Sequence, residues 1–171
     1  ISRTIRIHGR GMESTVVPAN EVMMFNFSRQ DIKTLPEWVR ECTRLRALYL
    51  DSCMNLTNLP SWIGEMQSLE TVRLSFSGIQ TLPAEIGQLK KLKHLSLYNC
   101  RQLSRLPDTL GDLSSLTYLC LASSGITALP ASIGALTQLS ELDMYCCLHF
   151  AELPDSICDL PNLKEIELSH T

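Results

Sequence analysis

The side chains able to do chemistry are spread along this chain rather than gathered. His8, His94, His149 and His170 are far apart, and no two have the spacing with which metal-ligating histidines share an element. Cys146 and Cys147 are adjacent, so one sulfur faces inward and the other outward on an extended segment, unlike a C-x-x-C redox pair. No serine has the G-x-S-x-G context of a strained nucleophile. Gly9-Arg10-Gly11 lacks both the third glycine of a dinucleotide loop and the Gly-Lys-Ser/Thr of a phosphate loop, so it reads as a connection. Glu141, Asp143, Glu165 and Glu167 could in principle supply an acid and a base. At alternate, open positions without an enclosing pocket they form a solvated acidic patch instead. The expectation is therefore no enzyme, no cofactor and no metal.

What the spacing does show is a repeat. Leu92 to Ser115, LKHLSLYNCRQLSRLPDTLGDLSS, contains a complete 24-residue unit of the form L-x-x-L-x-L-x-x-[C/S]-x-(x)-[L/I]-x-x-L-P-x-x-[I/L]-x-x-L. The frame starts at Val22, Leu45, Leu69, Leu92, Leu116, Leu139 and Leu163, with alternating steps of 23 and 24 residues. Longer units carry Cys53, Cys100 and Cys147 in the turn, and shorter ones Gln30, Ser77 and Ser124. A unit this short cannot bury its apolar side alone, so stacking must supply the core. Leu92, Leu95 and Leu97 point inward, and His94, Ser96 and Tyr98 point outward, because side chains alternate across a strand. Leu103, Leu106, Leu110 and Leu113 close the far side, with Pro107 expected at the first helical position and Gly111 at the bend that ends that turn. The fold class predicted is α/β, a leucine-rich-repeat solenoid with a parallel β-sheet on its concave face and short helical or 3-10 segments on its convex face.

Residues 1–21 are expected to be a degenerate first repeat, with a strand at Thr4 to His8, and a connecting loop. Residues 22–171 are expected to be a solenoid of about six and a half repeats cut from a longer chain. No run of apolar residues is long enough to span a bilayer. Basic residues are neither dense nor interleaved with aromatics, so neither membrane nor nucleic acid is an expected partner. Seven cysteines, an odd number, argue against a disulfide framework. Cys53, Cys100 and Cys147 lie two repeats apart, roughly 10 Å at the strand spacing, beyond the reach of a disulfide. Free thiols imply a cytoplasmic setting, against which stand two glycosylation triplets, Asn26-Phe27-Ser28 and Asn55-Leu56-Thr57. The net charge of −3 conceals a gradient, +3 over residues 1–50, zero over 51–138 and −6 over 139–171.

The face that a curved solenoid offers to a partner is the concave sheet. All four tyrosines, Tyr49, Tyr98, Tyr118 and Tyr145, map to outward strand positions or the residues flanking them. Around them fall Arg73, His94, Glu141, Asp143, Glu165 and Glu167. Aromatic area flanked by charges of both signs suits a protein ligand. Trp38 and Trp62 occupy the same column two residues after Pro36 and Pro60. They are expected side by side on the convex surface, covering their helical turns or meeting a sibling domain of the same chain.

The units LYLDSCMNLTNLPSWIGEMQSLETVRLSFSGIQTLPAEIGQL and LSLYNCRQLSRLPDTLGDLSSLTYLCLASSGITALPASIGAL resemble the leucine-rich-repeat region of plant intracellular nucleotide-binding immune receptors. In that family C-x-x-L-x-x-L-P units alternate with S/T-x-I-x-x-L-P units. The resemblance spans residues 22–171. Repeat domains of bacterial effectors delivered into plant cells, and plant Ras-group leucine-rich-repeat proteins, are similar too. The missing G-x-I-P element separates the chain from plant extracellular receptors. The resemblance implies a recognition module of plant immunity and disease resistance, a ligand-sensing or autoregulatory domain that takes part in effector recognition in the cytoplasm. The alternative is the substrate- or target-binding domain of a bacterial effector such as a ubiquitin ligase, and a purely structural scaffold stands third.

Overall fold

The computed structural model describes residues 4–7 and 15–171. The parallel sheet begins at β3 (Met24–Asn26) and continues through β4 (Ala47–Tyr49), β5 (Thr71–Arg73), β6 (His94–Ser96), β7 (Tyr118–Cys120), β8 (Glu141–Asp143) and β9 (Glu165–Glu167). Its seven strands pair in chain order. Ahead of it, β1 (Thr4–Ile7) pairs antiparallel with β2 (Thr15–Pro18) in a separate two-stranded sheet. The glycines at Gly9 and Gly11 lie outside the described residues.

Each strand of the large sheet is three residues long, yet the ladder runs further. Leu97 N–H donates to Cys120 C=O at 2.8 Å and Asn99 N–H to Ala122 C=O at 2.8 Å, and the same two bonds recur from repeat to repeat. The chain then leaves the sheet through a residue in the left-handed region at the same position of every repeat: Arg29, Ser52, Phe76, Asn99, Ser123, Cys146 and His170, with φ between 56° and 62°. None is glycine. From Arg29 to Cys146 the ladder bond made by the residue's own N–H holds it in a conformation that L-residues otherwise avoid.

Behind the sheet, the inward ladder is buried as the spacing requires: Leu92, Leu95, Leu97, Leu103, Leu110 and Leu113 are all fully inaccessible. The convex side consists of five-residue 3-10 helices, such as Asp108–Asp112, one per repeat from Glu37–Glu41 onward. The prolines of the Leu-Pro site stand just before these helices rather than in their first turn. Pro107 is extended at φ −69° and ψ 149°, and its carbonyl accepts Leu110 N–H at 2.9 Å. Lacking an N–H costs nothing at that position. Gly111, expected at a bend, is needed for a different reason: a Cβ there would lie 2.3 Å from the Ser132 carbonyl oxygen of the next repeat.

The alternation of long and short units is an interlock. In long units the turn cysteine donates its thiol hydrogen to the carbonyl at the end of the preceding repeat's ladder, Cys53 to Phe27 at 3.2 Å, Cys100 to Leu74 at 3.1 Å and Cys147 to Leu121 at 3.1 Å. In short units a buried serine hydroxyl meets the next cysteine, Ser77 with Cys100 at 3.6 Å and Ser124 with Cys147 at 3.8 Å. The extra residue of a long unit pushes its backbone against the following short unit. A Cβ on Gly78 would stand 2.1 Å from Met54 C=O, and one on Gly125 2.3 Å from Arg101 C=O. Only a glycine-bearing short unit accepts a long one in front of it at this spacing.

The tryptophans depart from expectation. Trp62 is only 8% exposed and belongs to the core, so the pair does not lie on the convex surface. Trp38 is half-buried and packs edge-on against Phe25, with ring centroids 5.2 Å apart, and against Phe27 at 6.2 Å. The aromatic trio packs together against the core at the first repeat of the sheet.

Candidate functional site

Parallel pairing in strict register turns the repeat into columns of outward side chains. Tyr118 stands opposite His94 on one side and Glu141 on the other, and Arg73 opposite Tyr49 and Ser96. Each strand alone carries only two such residues. Side by side they form a floor on which an open depression of about 580 Å³ lies, walled by Tyr49, Arg73, Ser75, His94, Tyr98, Tyr118, Cys120 and Asp143. A second hollow of about 650 Å³ shares Arg73, Ser75 and Tyr98 and extends toward Asn26, Arg29 and Phe76.

The groups in the depression hold one another. Arg73 Nη2 lies 2.9 Å from Asp51 Oδ2, and its guanidinium carbon stands 5.6 Å from the centre of the Tyr49 ring. Asp51 also accepts Ser75 N–H at 3.0 Å. That carboxylate therefore fixes the arginine and, through it, the tyrosine. Phe76 and Tyr98 meet edge to face at 5.0 Å, and His94 and Tyr118 are 6.1 Å apart at a tilt. Burial pushes the Tyr118 hydroxyl up to about 12, with Cys120, Asp143 and Glu141 adding to it. It is a neutral donor at any physiological pH. The Cys120 thiol, raised mainly by burial, donates to Asp143 Oδ2 at 3.5 Å.

Toward the last strands the face changes character. Glu141 stands opposite Glu165 and Asp143 opposite Glu167. Asp143 accepts Tyr145 N–H at 3.0 Å, and Glu167 accepts Ser169 N–H at 2.7 Å. These bonds with Ser169 hold the Glu167 carboxyl below its usual range. On the flank of the sheet, Glu70 joins Arg46 at 3.7 Å and Lys93 at 2.9 Å, and the Lys93 hydrogen bond holds the Glu70 carboxyl low. Among the described residues no group of three or more His, Cys, Asp or Glu could hold a metal ion. Nor is any helix among them long and apolar enough to cross a membrane.

A sequence model of the leucine-rich repeat region matches residues 39–124. The chain belongs to the leucine-rich repeat family. No curated protein matches it in sequence. Among solved structures, a leucine-rich repeat protein of Leptospira interrogans superposes with a TM-score of 0.58 at 23% identity, over 89% of this chain and 56% of its own. The leucine-rich repeat domain of the type III effector XopL gives 0.58 at 20% identity, over 86% and 76% of the two chains. An internalin of Listeria monocytogenes gives 0.61 at 19% identity, over 90% and 50%. At these identities the likeness is one of fold. The leucine-rich repeat chain spans about half the length of the Leptospira protein and the internalin. Proteins built on this fold generally bind other proteins on a non-enzymatic scaffold.

Of the residues singled out by sequence, the depression brings together Tyr49, Arg73, His94, Tyr98, Tyr118 and Asp143. Glu141, Glu165 and Glu167 form the acidic array beside it, and Tyr145 pairs edge-on with His170 at 5.6 Å, nearer the rim. Trp38 and Trp62 take no part. Sequence reasoning missed Asp51, Ser75 and Cys120, which carrying each column through every repeat would have found. It also missed Phe76, whose outward placement depends on the left-handed backbone at that position.

Proposed function

We propose that this leucine-rich repeat chain is a protein-recognition module that reads its ligand on the concave face. The observation carrying this is the placement of exposed apolar side chains. The large exposed hydrophobics among the described residues are Met23, Met24, Met54, Phe76, Tyr98, Tyr145 and Leu148. Each lies at the sheet face, beside its first strand or in the turns at its rim, and none in a convex 3-10 helix. Water-exposed aromatic area gathered on one curved surface is what a protein ligand covers. The finer reading is the ligand-sensing or autoregulatory domain of a cytoplasmic plant immune receptor. The alternating Cys and Ser units support it, and thiols that act as buried hydrogen-bond donors fit a reducing compartment.

The test is site-specific photocrosslinking of the full-length protein in its own cells, with the photoreactive residue at Tyr98 or at Glu85 on the convex side. Crosslinking from Tyr98 and not Glu85 is expected. With the captured partner purified, Tyr98→Ala should weaken binding by more than ~1 kcal/mol with thermal unfolding nearly unchanged, and Tyr118→Ala should weaken it likewise at some cost in stability, because that ring is partly buried. Loss of binding from Glu85→Ala alone would put the site on the other face. An upstream G-x-x-x-x-G-K-[S/T] segment in the full reading frame supports the receptor, and a separate catalytic domain supports a bacterial effector instead.

A further inference from the structure

The charge on the concave face is not balanced. Of the arginines lining its hollows, Arg29 lies at the far end, beside the first strand of the sheet, and Arg73 is neutralised by Asp51 at 2.9 Å. What remains on the strands is His94 and four carboxylates, Glu141 opposite Glu165 and Asp143 opposite Glu167. Neighbouring strands are about 4.8 Å apart, and like charges directly opposite one another destabilise a sheet. No lysine or arginine among the described residues forms an ion pair with any of the four. The array is continuous with the aromatic depression, because Asp143 belongs to both. Resting on the reading of this face as the recognition surface, we propose that its occupant is an extended, basic segment of a protein partner. An apolar or aromatic side chain fills the depression between Tyr49, Tyr98 and Tyr118, and Lys or Arg side chains lie over the carboxylates of β8 and β9.

The spacing can be read from the sheet. From β6, at the middle of the depression, to the line between β8 and β9 is two and a half strand separations, about 12 Å. An extended peptide crossing the strands covers that in about four residues at ~3.3 Å each. The segment therefore carries its apolar anchor about four residues from its basic pair. The partner's cations relieve repulsion already present in the free face, and the Tyr118 hydroxyl, held neutral by burial, brings no competing charge. An acidic segment would meet uncompensated carboxylates on the same path and be repelled.

The probe is a library of random twelve-residue peptides, selected on the purified chain and then measured as synthetic fluorescent peptides by anisotropy. Two variants accompany it. One combines Glu141→Gln, Asp143→Asn, Glu165→Gln and Glu167→Gln, which keeps shape and removes the negative charge; its thermal unfolding is measured first, because Asp143 accepts from Tyr145 N–H and the Cys120 thiol and Glu167 from Ser169 N–H. The other combines Tyr98→Ala with Tyr118→Ala. Selected peptides should pair an aromatic or large apolar residue with Lys or Arg about four positions away. Their Kd should rise roughly ten-fold on the amide variant, and several-fold between low salt and 0.3 M salt. Acidic or uncharged winners, equal binding to the amide variant, or no enrichment would each overturn the basic-segment proposal. Peptides that lose binding to the tyrosine variant but not the amide variant leave the concave reading standing and sink this one. Peptides indifferent to both variants sink both.

Discussion

Gly78→Ala tests the interlock between long and short repeats. The added methyl would stand 2.1 Å from Met54 C=O, 3.0 Å from the Met54 carbonyl carbon and 3.4 Å from Leu56 C=O. Ordinary contact requires the first distance to grow by roughly 1 Å, and the opposing atom is backbone rather than the end of a flexible side chain. Retreat of that backbone is resisted on both sides. Cys53 donates its thiol to Phe27 C=O at 3.2 Å, Leu56 N–H donates to Cys53 C=O at 3.1 Å, and Gly78 N–H itself donates to Cys53 C=O at 3.2 Å. Overpacking of this kind costs about 1–3 kcal/mol. For a chain of this size that lowers Tm by roughly 2–12 °C. The assay is thermal unfolding by circular dichroism, with Thr81→Ala on the exposed surface of the same repeat as the control. Hydrogen exchange should locate the loss of protection in β4 to β6, because a solenoid passes strain chiefly to its neighbours. A Tm within about 1 °C of the parent, or loss of protection spread evenly over the sheet, would refute the claim that glycine is required by close approach.

Leu97→Ala should destabilise by ~2–5 kcal/mol through a cavity in the fully buried ladder, while Ser96→Ala on the outer face changes little; equal denaturant midpoints would be evidence against the register. Brief alkylation of the native protein without reductant should label Cys158, which is exposed, and more slowly Cys146, leaving Cys42, Cys53, Cys100, Cys120 and Cys147 for the denatured state. Mass spectrometry would read that order. Burial, with Glu41 adding to it, pushes the Cys42 thiol from 9.0 up to about 11, so the folded chain binds more protons than the unfolded one between those values. Stability is whole below about pH 9 and falls as pH rises toward 11, and Cys42→Ala should flatten that slope in urea titrations at stepped pH.

The repeat length, inward ladder and cysteine column were legible from the sequence because each depends only on local alternation and on a period that every unit restates. Leu92, Leu95 and Leu97 need no distant partner to declare which way they face. The same arithmetic placed His94 beside Tyr118, since parallel pairing in register converts a fixed period into a fixed neighbour. Where a residue's role depends on what the adjacent coil brings against it, the sequence was silent or misleading. Gly111 reads as a bend and is a point of contact with Ser132; Trp62 reads as surface and is core; Phe76 carries no signal in the sequence and becomes a wall of the concave hollow because its φ is positive. The depression itself belongs to no single repeat. Stacking several strands across the curve sets Asp51 against Arg73 and brings Tyr49, Tyr98 and Tyr118 around one hollow, an arrangement of residues twenty or more positions apart that only the coiled chain can make.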